Sequence, residues 1–149
     1  MNGNFSGGVP NERQHLDFMR FNFYFPIALL CSVMEPLQDK IFSISPAIRY
    51  LAVYENNVLD TWDRPGIENA SSSESDRYEE LIVNPTLLKL LTQRGNIDCG
   101  GLDYVLIRYG VFYALVIQLS NGHLTVGIEP DADPTTIIPA IQQFLIEPA

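Results

Sequence analysis

At 149 residues, 46% of them hydrophobic, the chain has the size and apolar content of one domain with a real core, with or without a short arm. Eighteen Asp and Glu against nine Lys and Arg give a net charge of −9, and the lysines are Lys40 and Lys89 alone. That excludes the clustered cations that a nucleic-acid backbone requires. Two cysteines, Cys31 and Cys99, are too few for a disulfide scaffold, and with His15 and His123 they fall at no metal-ligand spacing.

Met1 to Pro10 is Gly/Asn-rich and uncharged, with neither the basic n-region nor the apolar h-region of a secretory signal. The most apolar early run, Phe21 to Val33, contains Asn22 and Pro26. It is shorter than the ~20 residues a membrane helix needs. The expectation is a cytoplasmic chain without membrane insertion. Residues 1–25 read as an N-terminal arm and 26–149 as the folded domain. Phe18, Phe21, Phe23, Tyr24 and Phe25 end the arm in an aromatic group. It reads either as a lid on the domain's own apolar surface or as a docking segment for a partner.

From Pro26 to Ile44, apolar residues recur at steps of three and four: Ile27, Leu30, Val33, Met34, Leu37, Ile41, Ile44. This predicts a helix with a kink or restart at Pro36, which lacks an N–H. Ile48 to Tyr54 is rich in β-branched and aromatic residues and predicts a strand. Asn56-Asn57 then supplies a type I′ turn, because Asn tolerates positive φ, and Val58 to Trp62 returns as the second strand.

Arg64 to Asp76, with its Ser71-Ser72-Ser73 run, reads as a surface loop. Arg77 to Val83 opens a second helix, continuous or not with the next. Asn84-Pro85 reads as an N-cap and an N1 proline, and Gly95 as a C′ glycine, giving a helix over Pro85 to Arg94. Three strands follow: Asp103 to Arg108, Phe112 to Leu119 and Leu124 to Ile128, separated by Gly110 and by Ser120-Asn121-Gly122. The nearly continuous apolar run Tyr113 to Ile117 predicts a central strand covered on both faces. Asp131 to Asp133 cap a last helix that carries Ile137, Ile138, Ile141, Phe144 and Leu145, with Pro139 inside it. The order α-β-β-α-β-β-β-α predicts an α+β domain: a five-stranded antiparallel sheet with helices on both faces.

That order resembles the Roadblock / dynein light chain family. Tyr104-Val105-Leu106-Ile107, Tyr113-Ala114-Leu115-Val116, Asn121-Gly122 and His123-Leu124-Thr125-Val126 carry the resemblance, with Leu51-Ala52-Val53-Tyr54 before Asn56-Asn57. Glu129-Pro130-Asp131-Ala132-Asp133 resembles the family's acidic, proline-containing junction before the last helix. The resemblance spans roughly residues 35 to 146. It implies a non-enzymatic homodimer that pairs edge strands into one continuous sheet, and a scaffold or regulator for a small Ras-like GTPase or a larger complex. It implies no cofactor.

Two features of the residues bear on that dimer. Leu87, Leu88, Leu90 and Leu91 span about 160° of helix circumference, more than the ~100° stripe a sheet face needs. They read either as a dimer contact or as a deeply seated core helix. The strand Asp103 to Arg108 reads as an edge with free backbone groups, open to pairing unless Asp103 and Arg108 block it. The expected interface is Leu87, Leu90, Leu91, Tyr104, Leu106 and Arg108. Phe18, Phe21, Phe23 and Phe25 are the expected partner-docking residues.

Chemistry finds little footing. Nothing brings Cys99 and His123 together, and acidic neighbours surround Cys99, so a thiol nucleophile is not expected. Cys99 reads as a turn residue and His123 as a polar strand-end residue. Glu79-Glu80 point apart on a helix, and Asp131 and Asp133 read as turn and cap groups. No phosphate-binding loop is present. The alternative function is a small-molecule sensor of the PAS or profilin-like kind. A sensor needs convergent polar groups in a cavity, which Ala114, Leu115 and Val116 do not offer.

Overall fold

The computed structural model describes residues 36–68 and 70–146. The expected arm over 1–25 with its docking phenylalanines, and residues 26–35 of the expected first helix, lie outside the described residues. The elements are α1 (Leu37–Ile44), β1 (Ile48–Glu55), β2 (Val58–Asp63), α2 (Ser73–Tyr78), a π-helical turn π1 (Glu79–Val83), α3 (Asn84–Asp98), β3 (Val105–Arg108), β4 (Tyr113–Leu119), β5 (Gly122–Ile128) and α4 (Pro134–Ile146). The helix expected to restart at Pro36 begins directly after it.

The strands form one antiparallel sheet in the order β2-β1-β5-β4-β3. The β1–β2 turn is made as its sequence predicts, with Asn56 at φ 52° and Asn57 at φ 67°. Leu51 faces Val126 and Val126 faces Leu115 across the ladders. With Ile41 of α1 and Ile137, Ile138 and Ile141 of α4 they form the main core on one face of the sheet. The alternate residues, including Tyr50, Ala52, His123 and Thr125, face the layer that contains π1 and α3. The central strand is β5, not β4 as the apolar run suggested. β4 is an interior strand one place from the edge, and Ala114 to Ile117 are buried all the same.

Several local expectations are corrected. Helix begins at Ser73, inside the expected loop, because the Ser72 hydroxyl accepts the Ser75 N–H at 3.2 Å and serves as N-cap. Asn84 is therefore not a cap. It has helical φ −62° and ψ −47° and lies mid-way along an unbroken helical run from Ser73 to Asp98. A proline ring crowds the carbonyl four residues back, and the widened π turn just upstream makes room for Pro85. The Asn84 N–H reaches back five residues to the Glu79 carbonyl.

Gly95 is likewise no C′ residue. The helix runs on to Asp98, and Gly100, at φ +80°, supplies the left-handed stop. Gly95 is glycine for another reason: the chain folds back so that a Cβ there would lie 2.6 Å from the Gly101 carbonyl oxygen. The third strand is shorter than expected and begins at Val105.

Arg64, expected in a surface loop, joins two layers. Its Nη2 donates to the carbonyls of Phe42 at 2.7 Å and Ser45 at 2.8 Å, and its Nε donates to that of Ile48. It thus satisfies carbonyls at the end of α1 and ties them to β1.

Candidate functional site

The same π turn points Glu80 into the sheet. Glu80 is 1% exposed, His123 2%, Thr125 2% and Asn84 fully buried. Glu80 Oε2 lies 2.8 Å from His123 Nε2, accepts the Thr125 hydroxyl at 2.7 Å and accepts Asn84 Nδ2 at 3.1 Å. Asn84 Nδ2 also donates to Thr125 Oγ1 at 3.1 Å, and the Tyr50 hydroxyl approaches Glu80 Oε1 at 3.4 Å. The Tyr54 ring leans on His123 with centroids 5.5 Å apart. Burial and the nearby Glu80 carboxylate push the Tyr50 hydroxyl far above its ordinary pKa.

His123, expected as a polar strand-end residue, does lie near the start of β5, but it is buried and bonded to Glu80. Sequence reasoning missed this network because its members come from four elements, β1, π1, α3 and β5, and because a π turn changes which way Glu80 points. One signal was present: His123 and Thr125 alternate along a strand, so they share a face. The convergent polar set that a sensor requires does exist, on β5, but its groups are bonded to one another. Two hollows adjoin it: an open groove of about 400 Å³ whose walls include Tyr54, Pro85, Leu88, Gln118 and His123, and, on the Tyr50 side, a cavity lined by Arg49, Tyr50, Asp63, Asp76, Glu79 and Thr125 with a volume of about 10 Å³. The cavity has room for about one water, far below a metabolite pocket. Cys99 sits apart at the exposed end of α3, its Sγ 3.3 Å from Asp98 Oδ1, an acidic setting rather than the electropositive one a thiol nucleophile needs.

Glu79, next to Glu80 on π1, is half-buried. Burial first, then the Glu80 charge, hold its carboxyl above the ordinary range, partly offset by a hydrogen bond from Tyr109. Asp76 is raised in the same sense, chiefly by burial.

The outer surface of this layer carries apolar residues among polar ones. Leu88 packs inward at 5% exposure, while Leu90 is 58% and Leu91 39% exposed, and Leu87 is half-buried. The four leucines thus divide between sheet and solvent. β3 is an edge strand, and Tyr104 just before it and Leu106 within it are exposed. Arg108 lies over the Tyr113 ring, 4.7 Å from its centroid. The other edge, β2, carries Asp60 and Asp63, charges that oppose strand addition. Among the described residues no helix is long and apolar enough to cross a membrane.

No protein-family model and no curated protein matches this chain. Similar folds occur among solved structures. A Roadblock/LC7 domain from Streptomyces avermitilis superposes with a TM-score of 0.50 at 12% identity, over 73% of this chain and 94% of that one. MglC from Myxococcus xanthus gives a TM-score of 0.44 at 10% identity, over 72% of this chain and 91% of its own. With the strand order and the helices on both faces of the sheet, the first likeness makes the fold of this chain that of a Roadblock-like domain.

Proposed function

We propose that this chain is a non-enzymatic, cytoplasmic protein-interaction module that works as a homodimer. Its role is that of a scaffold or regulator serving a small Ras-like GTPase or a larger complex. The observation that carries the reading is the exposure of Leu90 and Leu91 in the layer that flanks the sheet, together with the uncharged edge Val105-Leu106-Ile107. Exposed leucines cost solvation free energy that a symmetric contact recovers. An edge with free N–H and C=O groups is a template for a second strand. Leu87, Leu90, Leu91, Tyr104, Leu106 and Arg108 form the proposed contact. The buried polar network supports a structural role for the chain's one His–carboxylate pair among the described residues, since it is closed to a substrate.

Sedimentation at micromolar concentration tests this reading. The parent chain is expected to be a dimer. Leu91→Asp is expected to be a folded monomer by circular dichroism, because a two-fold axis brings two like charges together at the desolvated contact. A parent chain that stays monomeric across that range refutes the dimer. An unfolded Leu91→Asp protein assigns the residue to the core instead, and a folded dimer removes Leu91 from the interface.

A further inference from the structure

A second surface shares no residue with the proposed dimer contact. Between π1 and the β3–β4 connection runs an open groove of about 430 Å³, walled by Tyr78, Glu79, Val83, Tyr109, Val111 and Phe112, with Asp76 beside them. Tyr78 is 64% and Val111 52% exposed, large apolar groups that the domain leaves in water. The Tyr109 and Phe112 rings lie 5.2 Å apart at 41° and present both faces and edges.

The groove's lining has acids and no Lys or Arg. Glu79 Oε1 is shielded from solvent and finds no hydrogen-bond donor among the described residues. The charges that weigh on Glu79 are the carboxylates of Glu80 and Asp76. Asp63 and Glu80 add to the same field at Asp76. Arg49 approaches Phe112 at 5.8 Å from the ring centroid, but its guanidinium is engaged by Glu129 at 3.2 Å and by the Glu68 carbonyl at 2.7 Å. An apolar, aromatic wall beside two carboxylates, one of them with an oxygen left without a donor, is complementary to one kind of visitor.

We propose that this groove receives an arginine side chain, flanked by apolar residues, from an extended segment of a partner protein. A guanidinium fits both halves of the site. Its flat face stacks on Tyr and Phe rings, and its fork of N–H groups donates to the carboxylates of Glu79 and Asp76. Tyr78, Val83 and Val111 then cover the apolar flanks. This deepens the interaction-module reading, on which it rests, by giving the partner's chemistry.

The test is a titration of the ¹⁵N-labelled full chain with two capped hexapeptides, one carrying Leu-Arg-Leu and one Leu-Glu-Leu, followed by NMR. The arginine peptide is expected to shift the amide resonances of Tyr78, Tyr109, Val111 and Phe112. The glutamate peptide leaves them in place. Glu79→Gln should weaken binding about tenfold, and added salt should weaken it further. Tyr78→Ser, at an exposed position that leaves the core intact, should weaken it as well.

No shift with the arginine peptide, equal shifts with both peptides, or unchanged binding in both variants overturns the proposal. Shifts confined to α3 and β3 also overturn it, while leaving the interaction module standing. A monomeric parent chain that still shows the groove shifts refutes the dimer and supports the groove.

Discussion

His123 Nε2 and Glu80 Oε2 lie 2.8 Å apart, with both side chains almost wholly excluded from water. They join the central strand to the π turn, and Thr125, Asn84 and Tyr50 are the carboxylate's other partners. A buried pair of this kind does not by itself stabilise a fold, because desolvation offsets the attraction. What it does is make each partner depend on the other. His123→Ala and Glu80→Ala should each cost about 3–5 kcal/mol in urea unfolding, because each strands a buried polar group. The double variant should cost well under the sum, by at least about 1 kcal/mol. Strict additivity would show that the two residues contribute separately.

The raised carboxyl of Glu79 sets a pH dependence. Its folded pKa lies above its ordinary value, so folding takes up a proton there. That contribution is present below the ordinary value and is lost as pH rises through the folded one. Glu79→Gln removes the loss. It should therefore be more stable than the parent chain near pH 7, with the difference vanishing near pH 4. Paired urea titrations at the two pH values check this. A Gln variant that is less stable near pH 7 would show that the Tyr109 hydrogen bond outweighs burial.

Arg64 offers a test of how α1 is held. Its guanidinium serves the carbonyls of Phe42, Ser45 and Ile48 and lies 5.0 Å from the Phe42 ring centroid. Arg64→Ala should lower stability by about 1.5–3 kcal/mol, the range for hydrogen bonds that involve a charged group. Arg64→Lys should restore less than half of it, since an ammonium lacks the planar fork. The urea midpoints of the three proteins decide the matter, and full rescue by Lys would reduce the role of Arg64 to its charge.

At Gly95 two effects oppose one another. Alanine in a helix interior gains about 1 kcal/mol over glycine. Yet a Cβ there meets the Gly101 carbonyl oxygen at 2.6 Å and its carbon at 2.8 Å, both backbone atoms. Overpacking against backbone costs about 1–3 kcal/mol, and the segment from Gly100 to Leu102 has to move. Gly95→Ala should therefore lower the melting temperature, and an unchanged or raised one would show that the turn yields freely.

Much of this protein was legible in its residues because much of it is locally encoded. Two consecutive asparagines, both at positive φ, favour the β1–β2 turn from within the turn itself. The acid-and-proline run before Pro134 makes the last helix's cap, where Asp133 Oδ1 accepts the Thr135 N–H at 3.0 Å. Alternation and 3.6-residue periodicity placed strands and helices in the right order, because each must bury one face. Even Leu90 and Leu91 stood out as more apolar surface than one sheet requires.

Tertiary structure decided what depends on partners distant in sequence. Asn84-Pro85 has the form of a helix start, but buried contacts to Glu80 and Thr125 hold Asn84 in helical geometry, and a π turn absorbs the proline. Gly95 looks like a helix end, and only the returning chain at Gly101 shows it to be a close approach. The middle of the sheet went to β5 rather than the greasier β4, because β1 pairs with β5 across some seventy residues, and hydropathy carries no record of which strand lies beside which. The bond between Glu80 and His123 was illegible for the same reason: buried polar groups are tolerated only when their partners are in place, and those partners come together only when the sheet and the helical layer close on each other.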